Sequence, residues 1–491
     1  MIFGKGLIQV DDVREGSPAI VDRIIYDSDR AEKRFWRIVL NRNIVYHDGR
    51  FMLNSDVKFT FDLVKKYGGY ILNRRLDFSN IKEISLAGDL EVKFELYKPD
   101  PNFYNKLIEI PIISRNYYID ALKNGYSVFD DKPPMGCGPF AFVFQNDTAL
   151  NIKIHPNFYA GHPFLEYIRI DFFEDEGQLT DAFTNRSVDF IEVPDRITAQ
   201  TLNALLGNNA IVFTIPRPEI KVYFILINNR KFPLSELSVR RGIDYAINRE
   251  EIIEKFHYKE IANTLINLKN PHYFKTAFRE IYDPGRALQL LKSAGWQPNR
   301  QTGILEKNGQ FLDLNLYFSR NSFLEESIAR AVKISLGELN INIQPVPIIP
   351  SEKKKRHLKG EYDLMIWSYS YDSDYLLEAI EQFYFDILKG SLSNPNYQNT
   401  FLDQLLNLSY RDSKTKNRLF QRFQFYVKRE VPAIFLFFDD RIIVAVNSRF
   451  HNFRTTYRDG DRSFYRLRPI EDWFVPEILQ KYSTESDRLS R

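Results

Sequence analysis

The sequence predicts an α/β protein in which two α/β lobes are joined to a smaller β-rich domain. Three observations lead to this prediction. The chain has 491 residues, more than one hydrophobic core usually organises, so two or three domains are expected. The first 150 residues or so alternate as antiparallel strands do. Two later stretches combine strands and helices at the spacing of βαβ units.

The β-rich domain is predicted over residues 1–150. Trp36, Ile38 and Leu40 alternate with polar positions, and residues 90–96 alternate in the same way, which is typical of half-buried antiparallel strands. Asn54 or Ser55 is expected to cap a helix between these strands. A run of prolines and glycines over residues 133–139 predicts a break near the end of this domain.

The first lobe is predicted over residues 151–228 and is completed by the C-terminal segment 461–491. A strand pattern at residues 168–172 precedes a helical pattern at residues 179–183 and an apolar run at residues 188–193. Strand, helix and strand at this spacing predict a βαβ unit on a parallel sheet.

The second lobe is predicted over residues 229–460. Helix starts are predicted at Asn248, Asp283 and Ser322. Glu251 lies three residues after Asn248, and Glu325 lies three residues after Ser322, which is the spacing of a capping box. Pro284 directly follows Asp283 and suits the first position of a helix. Strands are expected where apolar residues alternate or run together: 312–318, 341–348 and 362–369.

Composition excludes several classes of protein. There are 67 basic and 64 acidic residues, a net charge of +3, so a broad nucleic-acid surface is not expected. No stretch approaches 18 apolar residues, so the sequence predicts at most a peripheral contact with a membrane. Aromatic residues make up 15%, including 28 tyrosines, which suits a roomy cleft as well as cores. The single cysteine, Cys137, excludes an internal disulfide.

Catalytic motifs are not recognisable in the sequence. The seven histidines form no paired metal-ligand spacing, and His47-Asp48-Gly49 is typical of a turn. Cys137 lies between two glycines without a recognisable base. The acidic run at residues 174–176 is expected to complement the first turn of a helix, with cation binding as the alternative. The sequence therefore predicts no catalytic residue, no metal site and no cofactor.

Seven motifs in order give the chain a resemblance to a known family. They are Ile44–Phe61, Gly136–Phe140, Asn157–Pro163, Ser187–Phe190, Asn228–Arg249, Tyr282–Gly295 and Asn394–Asn399 with Val431–Ile434. The chain resembles the extracytoplasmic oligopeptide-, dipeptide- and nickel-binding proteins of ATP-binding-cassette (ABC) importers. The resemblance implies a periplasmic-binding-protein-like fold of three domains, with the solute enclosed between the two lobes. It also implies structural roles for His47, Cys137 and Asp283.

The chain departs from the family pattern in two places. The opening residues lack a secretory signal, and the family's first strand and helix would precede the segment that matches Gly4–Ile8. The first lobe is therefore expected to lack its N-terminal strand. Peptide-binding members also carry Trp-x-x-Asp, where the Asp pairs with the peptide's amine; here Ser370 follows Trp367 at that spacing. Asp372 is expected either to replace that carboxylate or to cap the following helix.

The resemblance predicts a solute-binding protein that captures a small solute, expected to be a peptide, and delivers it to the permease of an ABC transporter. The expected location is the periplasm or cell envelope, and a monomer is expected. Cleft residues are predicted at Tyr223, Trp367, Tyr369, Ser370 and Asp372. A ligand-sensing or chaperone-like binding protein without a permease is the alternative, because the opening residues carry no signal. A hydrolase is a third class, which would need paired carboxylates or an activated nucleophile in the cleft.

Overall fold

A computed structural model describes most of the chain. The described residues are 20–26, 34–67, 69–71, 74–76, 78–100, 103, 107, 110–120, 132–194, 196–256, 258, 260–274, 282–373, 376–390, 395–409, 413–459 and 462–480. The motif segment at Gly4–Ile8, Asn394 and the end of the predicted C-terminal segment lie outside them. The chain divides into unit 1, residues 1–173 with 448–491, and unit 2, residues 174–447.

The strands in chain order are β1 (Val21–Tyr26), β2 (Phe35–Leu40), β3 (Gly69–Ile71), β4 (Arg74–Leu76), β5 (Ile81–Ala87), β6 (Glu91–Leu96), β7 (Phe140–Gln145), β8 (Ala149–Ile154), β9 (Tyr167–Asp171), β10 (Phe190–Val193), β11 (Ala210–Ile227), β12 (Glu260–Ile261), β13 (Gln297–Pro298), β14 (Leu305–Lys307), β15 (Gln310–Phe311), β16 (Asp313–Ser319), β17 (Asn342–Ile348), β18 (Leu364–Tyr371), β19 (Ala433–Asn447), β20 (Arg454–Asp459) and β21 (Arg462–Leu467).

The helices are α1 (Asn54–Tyr67), α2 (Arg115–Tyr118), α3 (Glu176–Thr184), α4 (Arg196–Leu206), α5 (Leu237–Ala246), α6 (Arg249–Phe256), α7 (Pro284–Ser293), α8 (Phe323–Gly337), α9 (Pro350–Lys359), α10 (Leu376–Gln382), α11 (Thr400–Ser409) and α12 (Ser413–Glu430). Helix α10 continues as a π-helical segment over Phe383–Lys389. No helix in the described part of the chain is long and apolar enough to cross a membrane.

Unit 1 is built on antiparallel sheets. One sheet has the order β1-β2-β6-β5, and another has the order β7-β8-β9. The alternation noted in the sequence fixes the buried face of β2, because Trp36, Ile38 and Leu40 are buried while their neighbours are not. The predicted turn is present at Gly49, whose φ of 85° suits glycine. The N-terminal region is therefore β-rich, as the sequence predicts.

Unit 2 is organised around one mixed sheet with the strand order β10-β19-β11-β18-β16-β17, and β12 pairs with β19. Strands β16, β17 and β18 are parallel, whereas β11 and β19 are long antiparallel partners. Successive side chains of β11 enter different cores: Tyr223 and Ile225 belong to one cluster, and Phe224 belongs to the cluster on the other face. The sheet is thus buried on both faces along this strand.

The predicted helix starts at Asp283 and Ser322 are confirmed. The Asp283 carboxylate accepts a hydrogen bond from the Arg286 backbone N–H at 2.8 Å, and the Ser322 hydroxyl accepts one from the Glu325 N–H at 3.3 Å. Asp175 likewise caps α3 by accepting from the Gln178 N–H at 2.8 Å. Side-chain oxygens satisfy backbone donors that have no partner inside a helix.

The βαβ unit predicted across residues 168–193 is wrong, although all three elements exist. Strand β9 belongs to the antiparallel sheet with β7 and β8, whereas β10 pairs antiparallel with β19. Periodicity in a sequence identifies a strand but does not identify its pairing partner. The boundaries predicted for the three domains at residues 150, 228 and 460 stay predictions beside the observed division at 173/174 and 447/448.

Candidate functional site

Unit 2 contains a cleft of about 240 Å³ at the point where β11 and β19 are irregularly paired. Its lining combines residues predicted for the first lobe with residues predicted for the second. The lining residues are Glu176, Leu179, Glu192, Val193, Pro194, Arg217, Lys221, Tyr223, Phe256, Tyr258, Ser322, Leu324, Asp439, Asp440, Arg441 and Ile443. Seven of these residues are charged, and a concave site where polar groups converge beside apolar side chains is a candidate ligand site.

An interrupted strand ladder places the charged residues of the cleft. In the β11–β19 pairing, Pro216 is opposite Arg441 and Lys221 is opposite Asp439, so the register shifts between these pairs. The shifted segment includes Pro218, which has no backbone N–H to donate. The interruption brings Arg217, Lys221 and Asp439 to one point on two adjacent strands.

Most of these charges are paired. The Arg217 guanidinium donates to the Asp439 carboxylate at 3.0 Å, and it lies 3.4 Å from Glu192. Asp440 lies 3.6 Å from Arg441. Burial raises the pKa of Asp439, although the positive charges of Arg217 and Lys221 oppose that rise. The Asp439 carboxylate is therefore partly removed from water in the cleft, and titratable groups with shifted pKa values of this kind are common at binding sites.

Two tyrosines of the lining, Tyr223 and Tyr258, belong to one aromatic stack. The Tyr258 ring stacks on Phe437 with centroids 4.3 Å apart, and Phe437 stacks on Tyr223 with centroids 5.1 Å apart. Burial raises the pKa of the Tyr223 hydroxyl, so this group is a neutral donor. A rigid stack that ends in a tyrosine offers apolar contact area together with a polar tip.

The structure separates the five residues that the sequence predicts for the cleft. Tyr223 lines it. Ser370 is the cross-strand partner of Lys221 and shares its face of the sheet, but it is outside the lining. Trp367 and Tyr369 pack against the core on the opposite face, where Tyr369 donates to the Ala379 carbonyl at 3.2 Å. Asp372 follows the end of β18, next to Ser373.

Ser373 lines a second, more open groove of about 540 Å³ on that opposite face. Its other lining residues are Ile220, Asn267, Lys269, Asn270, Pro271, His272, Leu376, Lys416 and Phe420. Within the described ranges, no group of three or more His, Cys, Asp or Glu side chains is placed to hold a metal ion.

Arg217, Lys221, Tyr258 and Asp439 are cleft residues that the sequence interpretation missed. A signal for them is nevertheless present in the chain. Lys221 interrupts the apolar run of β11, and the segment 439–441 interrupts the apolar run of β19. A charged residue inside a long strand that is buried on both faces needs a partner or a ligand.

His47 and Cys137 have structural positions, as the sequence interpretation expects. The Gly136 N–H donates to His47 Nδ1 at 3.3 Å, and His47 Nε2 lies 3.1 Å from the Gly138 carbonyl. The imidazole thus joins both ends of the Gly136-Cys137-Gly138 turn, and the Cys137 side chain is buried.

Comparisons with known proteins agree with this architecture. A family model described as bacterial extracellular solute-binding proteins, family 5 middle, matches residues 25–386. The oligopeptide-binding protein AppA of Bacillus subtilis is 23% identical over 418 residues, which is 82% of this chain and 75% of that protein. The nickel-binding periplasmic protein of Escherichia coli is 23% identical over 348 residues, 67% of this chain and 66% of that protein.

Solved structures show the same fold. The structure of AppA from Bacillus subtilis in complex with a nonapeptide matches with a TM-score of 0.72 at 21% identity, covering 97% of this chain and 93% of that chain. NikZ from Campylobacter jejuni in complex with Ni(L-His) matches with a TM-score of 0.74 at 20% identity, covering 92% of this chain and 90% of that chain.

Proposed function

The chain belongs to the bacterial extracellular solute-binding proteins of family 5, and we propose that the cleft of unit 2 captures a small peptide for a permease. The family consists of non-catalytic, substrate-binding proteins of transport systems. The observation that carries the proposal is the cleft itself, where an aromatic stack meets a cluster of paired charges. A peptide presents both apolar side chains and charged ends, so it complements such a lining.

The volume of the cleft favours a small solute. About 240 Å³ lies below the range of ~300–1,000 Å³ that is common for ligand pockets. A dipeptide-sized ligand, or one end of a longer peptide, therefore fits the proposal better than a fully enclosed nonapeptide. Relatives carry names that refer to oligopeptide, nickel and haem binding, so a nickel–histidine complex and haem belong among the compounds to be compared.

Capture is proposed to work by closure around the register shift between β11 and β19. A ligand that contacts the residues on both sides of this shift stabilises the closed state by its differential affinity for that state. The proposed location is the periplasm or cell envelope, and the proposed partner is the permease of an ABC transporter. A ligand-sensing or chaperone-like binding protein without a permease is the alternative. We propose no reaction for this chain.

The test is ligand capture by the purified protein. Mass spectrometry of released material identifies what co-purifies, and a pool of dipeptides and tripeptides is then offered together with nickel–histidine and haem. A ligand at a hundredfold excess over its Kd raises the free energy of unfolding by about 2.7 kcal/mol. Capture of peptides in preference to the other compounds supports the proposal.

A cleft variant localises the site. Tyr258→Ala removes the outer ring of the stack and is expected to weaken peptide binding about tenfold, as loss of a stacked aromatic contact does. Tyr97→Ala is the matched control, because Tyr97 is 57% exposed and lies in unit 1. Equal loss of affinity in both variants, or capture of no peptide at all, would refute the proposed function.

A further inference from the structure

One cation in the cleft differs from the others. The Lys221 ammonium lies 5.0 Å from the centroid of the Tyr223 ring. In the described part of the chain it has no carboxylate within ion-pair distance and no hydrogen-bond acceptor. The other two cations of the lining, Arg217 and Arg441, each have an acidic partner.

The two strands beside Lys221 do not neutralise it. On β18 its cross-strand partner is Ser370, which carries no charge. On β19 its cross-strand partner is Asp439, whose carboxylate accepts a hydrogen bond from Arg217 at 3.0 Å. Lys221 therefore stands on a half-buried strand face with one neutral neighbour and one neighbour already engaged by another cation.

The remaining acids of the cleft are engaged or exposed. Glu176 accepts a hydrogen bond from the Phe323 N–H at 2.9 Å. The side chains of Glu192 and Asp440 are 58% and 48% exposed, so water screens their charges. Burial lowers the pKa of the Lys221 ammonium and the nearby Arg217 lowers it further, while the charges of Asp439, Glu192 and Glu325, none of them in ion-pair contact with Lys221, oppose that fall without reversing it. A partly desolvated cation without a counter-ion is costly to the folded protein.

We propose that Lys221 is a specificity-determining residue that binds a carboxylate of the captured solute. This rests on the proposed function of the cleft and adds the chemical class of its ligand. The carboxylate takes the position of a counter-ion for Lys221, and the Tyr223 ring below the ammonium holds the lysine side chain in place by a cation–π contact. Solutes with an acidic group at this point are preferred over their amides.

The experiment uses matched peptide pools that differ only in charge. One pool holds dipeptides and tripeptides with free C-terminal carboxylates, and a second holds the same peptides as C-terminal amides. Within each pool, Glu-containing and Gln-containing members separate a side-chain carboxylate from the terminal one. Wild type is expected to retain carboxylate-bearing members about 10- to 100-fold better, as expected for a charge-assisted hydrogen bond.

Three variants test the assignment to Lys221. Lys221→Met keeps most of the unbranched side chain without its charge and is expected to abolish the preference, while Lys221→Arg retains it. Ser370→Asp places a carboxylate directly across the strand pair from Lys221, so it is expected to reduce the preference with the lysine intact. Lys269→Met, in the second groove, is the control and is expected to leave the preference unchanged.

The outcomes separate this inference from the function on which it rests. If wild type captures peptides without preferring the acids, or if Lys221→Met keeps the preference, the assignment of Lys221 is refuted while the proposed function stands. If neither pool is captured, the peptide-binding function fails and the inference fails with it. Calorimetry with one captured peptide and its amide then gives the ratio of Kd values for each variant.

Discussion

A buried ion pair in unit 2 gives a sharp test of how that unit is stabilised. Asp244 and Arg249 are both buried and form a hydrogen-bonded ion pair, and the Lys428 ammonium donates to the second carboxylate oxygen of Asp244 at 3.1 Å. Arg249 also donates to the Phe435 carbonyl at 2.6 Å. The pair thereby ties α5 and α6 to β19, the strand that carries Asp439.

The perturbation is Asp244→Asn, which preserves the shape of the side chain and removes its charge. Arg249 then remains buried without a counter-ion, and breaking a buried pair in this way costs about 3–5 kcal/mol. Lys428 is 21% exposed and can turn toward water, so we expect a loss of about 3 kcal/mol. The measurement is the free energy of unfolding in denaturant at pH 7.

The matched control is Glu326→Gln, which removes an acid from the exposed ion pair with Arg330 on α8. Exposed pairs of this kind contribute about 0.3–0.5 kcal/mol. In the double variant Asp244→Asn with Arg249→Met, the buried charge is removed as well, so the total loss is expected to be smaller than the sum of the two single losses. A loss below about 1 kcal/mol for Asp244→Asn would refute this account.

The contribution of Asp244 to the free energy of unfolding is expected to decrease at low pH. Burial works to raise the pKa of Asp244, but the charges of Arg249 and Lys428 outweigh it and hold the pKa below its ordinary value. A carboxylate with a lowered pKa in the folded state contributes stability above its unfolded pKa, which is about 3.9, and loses it as the pH falls below that value. The wild type should therefore lose its advantage over Asp244→Asn below about pH 4.

Two further predictions concern the sequence motifs. Burial lowers the pKa of His47 to about 4, so the unfolded chain takes up a proton near pH 6.5 that the folded chain resists, and stability falls between these values. Because the ring is partly exposed, we expect the free energy of unfolding to fall by about 1 kcal/mol between pH 7 and pH 5. Unfolding curves of wild type and His47→Gln at both pH values measure this change. An unchanged pH dependence in the variant would contradict it. Asp283→Ala removes the cap of α7 and should cost about 1 kcal/mol by thermal denaturation, whereas Asp283→Ser should restore most of it; equal Tm values for all three proteins would count against the cap.

Helix caps and buried strand faces could be predicted from the sequence, because the residues that decide them are close along the chain. The caps at Asp283 and Ser322 could be predicted, because a side-chain oxygen and its N–H partner are three residues apart. The buried face of β2 could be predicted from alternation alone. The ordered motifs also predicted the family, which the match over residues 25–386 confirms.

The pairing partners of the strands could not be predicted from the sequence. The sequence identifies β9 and β10 as strands, but it does not show that β9 pairs with β8 while β10 pairs with β19, more than 240 residues further on. The free energy of pairing depends on which strand edges meet in three dimensions, and the residue pattern within one strand does not identify the strand with which it pairs.

The cleft shows most clearly what the sequence could predict and what only the tertiary structure could show. The sequence by itself determined the kind of protein and the α/β class, because these follow from ordered motifs and from local periodicity. Its choice of Tyr223 as a cleft residue rested on aromatic character and on the resemblance, and it stays a prediction. Only the tertiary structure joined Arg217 to Asp439, 222 positions apart, and set Lys221 opposite the neutral Ser370. Charges acquire partners through space, and a register shift between two long strands decided which charges of the cleft form ion pairs among the described residues and which one does not.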